Sequence, residues 1–276
     1  MAESFRGAIF DVDGVLVDSP HEAAWRDALR DLMEGDWADI REQTTWSPEA
    51  FTPEVYQRQL SGKPRDEGAL AALEYFGVPD AATRTAAYSD YKQDMVVELI
   101  EAGKFSAYPD ALRFLLAVKD AGIRVAAASS SKNAGLFLRQ ISLADFAAEE
   151  GLQYDWLEPG LSLLAAFDVD ISGRHFEHGK PHPAIFLAAA EELGVDPAAA
   201  FVVEDAVSGI QAAKAGGFAG LGVARHDDEA MLADAGADIV VSTLDDVDLA
   251  TLADGVLSVA DERGNFGDTQ GLGADD

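Results

Sequence analysis

Asp11 and Asp13, in the run Phe10-Asp11-Val12-Asp13-Gly14-Val15, are the residues of this 276-residue chain best placed for chemistry. Two carboxylates two positions apart at the end of an extended segment point the same way, so that one can attack phosphorus while the other moves a proton. The tetrapeptide returns at Phe167-Asp168-Val169-Asp170, but without the glycine and away from the first strand, and that copy is read as a polar turn. Three further clusters supply what phosphate chemistry needs. A small-residue strand from Val125 runs into Ser129-Ser130-Ser131-Lys132-Asn133 at a helix start, a cradle for phosphate oxygens. Gly179-Lys180-Pro181 puts a lysine on a loop before a helix, and Phe201-Val202-Val203-Glu204-Asp205 ends a strand in two acids that suit Mg²⁺. Each cluster alone also reads as a helix cap or a surface charge. Their weight comes from recurring, in this order, at strand ends or in the loops that follow.

Elements that alternate short apolar runs with helical stretches must position these residues, which predicts an α/β fold with a mainly parallel, Rossmann-like sheet. Strands are expected at residues 7–10, 123–128, 200–203, 220–224 and 238–241, with helices at 110–121, 134–140, 183–193, 206–215 and 228–235. Residues 20–107 break the alternation. They offer helical segments at 21–33, 66–76 and 81–102 and no convincing strand, so they are expected to form an inserted α-helical cap over the carboxyl ends of the strands, where open α/β sheets bind ligands. The core is then residues 1–19 and 108–255, and residues 256–276 are expected to be a disordered acidic tail.

Composition narrows the chemistry further. With no cysteine, thiol nucleophiles, zinc-thiolate sites and iron–sulfur clusters are excluded. Fifty acidic residues against 20 lysines and arginines give a formal charge of −30, which repels nucleic acid and anionic membranes. From His226 onward there are fourteen acidic residues and one basic residue, Arg263. Such a surface reads either as a solvated acidic face or as an adaptation to high salt, which screens self-repulsion. No apolar run is long enough to span a bilayer and no signal-like segment opens the chain, so a cytoplasmic location is expected.

With these four motifs the sequence resembles the haloacid dehalogenase superfamily of phosphotransferases, in the branch with a helical cap after the first strand. The resemblance covers roughly residues 5 to 245. It implies Asp11 as the nucleophile that forms an aspartyl-phosphate, Asp13 as general acid/base, and Ser129 and Lys180 as phosphate ligands. It also implies Mg²⁺ held by Asp11, the Asp13 carbonyl and Asp205, with Glu204 assisting.

Within that branch the cap resembles the β-phosphoglucomutases. Leu60-Ser61-Gly62-Lys63-Pro64-Arg65 is similar to their cap loop, which implies that Arg65 grips a second phosphate. Lys92 falls at their cap lysine, and His21 before Ala24-Trp25 at their hinge histidine. Ser131, Lys132 and Asn133 match their distal-phosphate ligands. The resemblance implies a sugar-phosphate mutase, with a phosphatase using the same residues as the alternative. The expected partner is a phosphorylated sugar or another small phosphate ester, and the expected state a monomer or small homo-oligomer. Departures are a short spacing from Asp18 to His21, Ala206 in place of a serine after Glu204-Asp205, and extra residues near 35–53 and 147–164.

Overall fold

The structure, a computed structural model, describes residues 4–260. Strand β1 (Gly7–Phe10) has no polar side chain to present and is buried along its length in the middle of a six-stranded sheet. The remaining strands are β2 (Val17–Asp18), β3 (Ser106–Ala107), β4 (Arg124–Ala127), β5 (Val169–Asp170), β6 (Ala200–Glu204), β7 (Ala219–Val223) and β8 (Ile239–Val241). The sheet runs β5-β4-β1-β6-β7-β8 with every pair parallel.

Alternation along the central strands divides their side chains between two cores. Phe10, Val125, Phe201 and Val203 meet Phe114, Leu115 and Phe137 on one face. Ile9, Ala126, Ala200 and Val202 meet Phe186, Ala189 and Ala212 on the other. Burial on both faces is why these strands read as unbroken apolar runs. The fold is thus a mainly parallel α/β sheet between helical layers, carrying a helical cap.

The cap leaves the core through β2 and returns through β3, which pair antiparallel as a two-stranded hinge. Between them lie α1 (His21–Glu34), α2 (Pro53–Gln59), α3 (Arg65–Tyr75) and α4 (Ala81–Glu101). They enclose a core of their own around Trp25, Leu29, Met33, Phe76 and Tyr88. The extra residues near 35–53 feed this core, since Trp37, Trp46 and Phe51 are buried in it. Those near 147–164 pack Tyr154 and Trp156 against the main core, with the Lys119 ammonium 5.5 Å above the Trp156 ring. Of these two insertions only Pro53 lines the active-site cavity, and none of their tryptophans does.

Three details depart from the sequence reading. Strands β2, β3 and β5 span two residues each and have too few side chains to show alternation. The second Phe-Asp-Val-Asp run forms the edge strand, where the Asp168 carboxylate accepts from the Val125 backbone N–H and braces β4. Residues 256–260, placed in the expected tail, still contact the core. Val247 pairs with Val259, and the Ala260 N–H donates to the Asp246 carbonyl. The rest of that tail, 261–276, lies outside the described residues. No helix among the described residues is long and apolar enough to cross a membrane.

Candidate active site

Asp11 sits one residue beyond β1, where the sheet delivers it to the floor of a cavity of about 1250 Å³ between core and cap. Lys180, fully buried, places its Nζ 2.6 Å from Asp11 Oδ1 and also on the Glu204 carboxylate. Burial alone favours a neutral lysine, but the Asp11 and Glu204 charges overcome it and raise the Lys180 pKa above its usual value. Asp11 is pushed up to about 7 by burial and by Glu204 and Asp13, against the pull of Lys180. Burial, Glu204 and Asp11 likewise lift Asp205 well above the carboxylate range. One ammonium thus serves three closely set carboxylates.

That surplus of negative charge bears on the expected Mg²⁺. Among the described residues no three His, Cys, Asp or Glu side chains converge as a protein-only metal cage. Mg²⁺ does not require one, because it is commonly held by one or two carboxylates together with waters and substrate phosphate oxygens. Asp11 and Asp205 fit that pattern. Gly14, at φ +84°, lets the Asp205 carboxylate occupy the space a Cβ would take. Glu204, expected to assist at the metal, has both oxygens engaged by protein, one by Lys180 and the other by the Ala206 N–H at 2.9 Å. Gly209 leaves the room that this carboxylate fills.

Asp13 is held from two sides. Ser129 Oγ donates to its Oδ2 at 3.2 Å, and His21 Nε2 lies 3.2 Å from its Oδ1. Burial opposes ionisation, yet the interactions with His21 bring the Asp13 pKa below its usual value. On the other edge of the ring, His21 Nδ1 is 2.9 Å from Lys92 Nζ, itself stacked 4.7 Å above the Trp25 ring. An ammonium donating to Nδ1 leaves the ring proton on Nε2, which faces both Ser131 Oγ and Asp13 Oδ1. Burial and then Lys92 push His21 below its usual pKa. Burial pulls Lys92 down to about 7, with Asp13 acting in the opposite sense.

The expected distal-phosphate residues divide. Lys132 is exposed at the cavity and makes no ion pair among the described residues. Ser131 and Asn133 are occupied by protein. Ser131 Oγ faces His21 Nε2 at 3.3 Å and accepts from the Asn133 N–H, while the Asn133 and Gln93 amides exchange hydrogen bonds of 2.9 and 3.2 Å. Arg65 lies at the cavity, a loose 3.6 Å from both Asp66 and Asp90. Gly62 is a docking point for the cap. Its carbonyl accepts from Ser130 Oγ at 3.1 Å, and a Cβ there would press within 3.2 Å of the Ala206 Cβ.

Several residues of the site were not anticipated from sequence. Gln57 reaches from α2 across the cleft to the Asp205 carbonyl and to the Asp228 carboxylate. Arg225 donates to the Gly14 and Val15 carbonyls and to Asp110, and stacks 3.9 Å from Tyr108. Ser208 Oγ donates to the Ser61 carbonyl. The Thr52-Pro53 helix start was a local signal for α2, but nothing local marked these long-range partners. Electrostatically the cavity differs from the rest of the chain. Nine of the 20 lysines and arginines are among its described lining residues, against eleven of the 50 acids. The lining is therefore close to charge balance where the remaining surface is strongly acidic.

Such a site can take up a phosphoryl group and pass it on, and the fold around it is that of a phosphoryl-transfer enzyme. The chain belongs to the haloacid dehalogenase-like hydrolase family, whose model matches residues 5–217. It is similar to a β-phosphoglucomutase of Mycobacterium bovis, 33% identical over 262 residues that cover 88% of this chain and 92% of the relative. A phosphorylated carbohydrates phosphatase of Thermotoga maritima is 28% identical over 212 residues, 76% of this chain and 80% of the relative. Among solved structures, an archaeal β-phosphoglucomutase from Pyrococcus sp. strain ST 04 superimposes with a TM-score of 0.63 at 31% identity. The match covers 91% of this chain and 99% of that one.

Proposed function

We propose that this chain is a sugar-phosphate mutase of the β-phosphoglucomutase type, working through a phosphoryl group carried on Asp11. The observation that carries the reading is the line from Asp13 through His21 to Lys92. It ties the acid/base carboxylate of the core to a buried cap lysine, so Asp13 is set in place when the cap covers the site. A phosphatase needs water at that moment, whereas a mutase gains from excluding it.

With the phosphoryl group on Asp11, the ionised Asp13 first accepts the proton of a sugar hydroxyl, whose oxygen bonds to phosphorus as the bond to Asp11 breaks. In the second half-reaction an Asp11 carboxylate oxygen bonds to phosphorus as the bond from phosphorus to the other sugar oxygen breaks, and Asp13 returns the proton to that oxygen. Lys180 offsets charge at Asp11 and at the transferring group, and Arg65 and Lys132 hold the phosphate that stays behind. Mg²⁺, held by Asp11 and Asp205, would supply further positive charge against the phosphoryl oxygens. A second reading, hydrolysis of phosphate esters, is supported by the similarity to the Thermotoga maritima phosphatase and by a cleft open enough to admit water.

The test follows β-glucose 1-phosphate with Mg²⁺, with and without a glucose bisphosphate primer, reading glucose 6-phosphate and free phosphate together. Primer-dependent isomerisation with little free phosphate is the expected result. Stoichiometric release of phosphate supports the hydrolase instead. Asp11→Asn is the control and should abolish both products.

A further inference from the structure

Gln57 makes the most unusual contact across the cleft. It is buried at the inner end of α2, and its side-chain nitrogen donates to the Asp205 main-chain carbonyl and, at 2.8 Å, to Asp228 Oδ2. Both partners are acceptors, so the amide orientation is fixed and its two protons are both spent on the core. Asp228 is itself buried, and it closes the short loop that begins at Arg225. In that loop Asp227 has φ +54°, a conformation unfavourable for a residue with a side chain. The bend aims Asp228 at Gln57 while Arg225 holds the carbonyls of Gly14 and Val15. One loop therefore braces the segment after Asp13 with one residue and receives the cap with another.

We propose that Gln57 is a positioning residue that couples cap closure to cation binding at the Asp205 loop. The inference rests on the reading of Asp205 as a cation ligand. A cation drawn to the Asp205 carboxylate fixes the same residue whose carbonyl Gln57 must meet, so the closing cap finds its acceptor already placed. Coupling of this kind is reciprocal: if the cation favours closure, closure tightens the cation by the same factor. Because the bond to Asp228 is charge-assisted, its loss should shift the closed-to-open ratio by about tenfold or more. Substrate is not needed for this coupling.

The chain has no cysteine, which makes the test direct. Glu74→Cys in the cap and Glu191→Cys in the core, both at exposed positions, carry spin labels whose distance distribution separates closed from open molecules. With the full chain and no substrate, Mg²⁺ is expected to raise the closed fraction. Gln57→Leu should lower that fraction, remove its response to Mg²⁺ and weaken Mg²⁺ binding in calorimetry by the factor measured for closure. Gln57→Glu keeps the side-chain size but sets like charge against Asp228, and should open the cap at least as far. If both variants keep the parent's closed fraction, or open the cap while leaving the Mg²⁺ response intact, the coupling is overturned. Asp205→Asn separates the two readings. Unchanged Mg²⁺ affinity in that variant overturns Asp205 as a ligand, whereas lost affinity beside unaffected Gln57 variants overturns the coupling alone.

Discussion

Lys92 and His21, seventy-one positions apart, meet with Nζ 2.9 Å from Nδ1, and neither has solvent to fall back on. Both belong to cap helices, and through the contact of His21 with Asp13 they make the proton-moving end of the site a joint product of cap and core. A buried ammonium facing a neutral ring is unfavourable in isolation. It is tolerated because the Trp25 face and the Asp13 charge lie close by.

The first expectation is a pH-dependent stability that traces to Lys92. Its folded-state pKa of about 7 lies below the 10.5 of a free lysine. Above about pH 7 the unfolded chain therefore binds one more proton than the folded one, and stability rises with pH, by at most about 1.4 kcal/mol per unit. Asp205, lifted well above the carboxylate range, acts in the opposite sense, so the Lys92 contribution should be read as the difference in urea midpoint between the parent and Lys92→Met from about pH 7 to pH 9. The substitution should remove this part of the rise and raise stability most at the lower end.

A second expectation uses two glycines with positive φ in different surroundings. At Gly14 a Cβ would enter the Asp205 carboxylate, whereas at Gly77, φ +65°, nothing lies within 4 Å. Both alanine variants lose about 1 kcal/mol or more from backbone strain, read as a drop of a few degrees in Tm. Only Gly14→Ala should also weaken Mg²⁺ binding, by tenfold or more in calorimetry. Equal Mg²⁺ affinities would remove Asp205 from the cation site.

How far the site was legible follows from these same residues. Asp11, Ser129, Lys180 and Asp205 stand at or just beyond the ends of strands or in a loop leading to a helix, so local pattern and chemistry coincide there. Gln57 and Asp228 are 171 positions apart, and Gln93 and Asn133 forty. Their pairing depends on how the cap seats on the core, which no local periodicity records. Asn133 shows the cost of that blindness. Its position matches a phosphate ligand, but the seated cap gives its amide to Gln93. Glu204 and Asp205 look interchangeable as neighbouring acids. What parts them is the strand's alternation, which turns Glu204 inward to Lys180 and leaves Asp205 half-buried at the cavity.

Arg65 provides a third expectation, one that separates the cap from the chemistry. Its 3.6 Å distances to Asp66 and Asp90, on a side chain one-third exposed, leave the guanidinium free to turn to a phosphate. Arg65→Ala should therefore lower sugar-phosphate turnover about ten- to a hundredfold, the worth of a charge-assisted contact. Hydrolysis of p-nitrophenyl phosphate, which offers no second phosphate, should change little. Equal losses on both substrates would show that Arg65 serves the fold or the transferring group.

The last expectation concerns salt, and it turns on the contrast between a chain of charge −30 and a cavity that collects nine of its 20 lysines and arginines. At long range the acidic surface repels an anionic substrate and strains the folded state through self-repulsion. Close to the site, Lys180 and Lys92 are almost wholly enclosed by protein. Added KCl shortens the Debye length from about 10 Å at 0.1 M to about 3 Å at 1 M, which silences charges separated across the surface but acts weakly on enclosed contacts. The relief of repulsion should therefore outweigh the weakening of the pocket. Tm and kcat/KM are both expected to rise as KCl goes from about 0.05 M toward about 1 M, with little change beyond. The exposed Lys132 and the partly exposed Arg65 set the limit of the effect, because their grip on a phosphate is screened more than that of enclosed groups. Should Tm rise while KM worsens, the acidic envelope governs stability and the exposed rim governs substrate capture. A flat or falling Tm over that range would rule out high-salt adaptation and leave the acidic surface as a source of solubility alone.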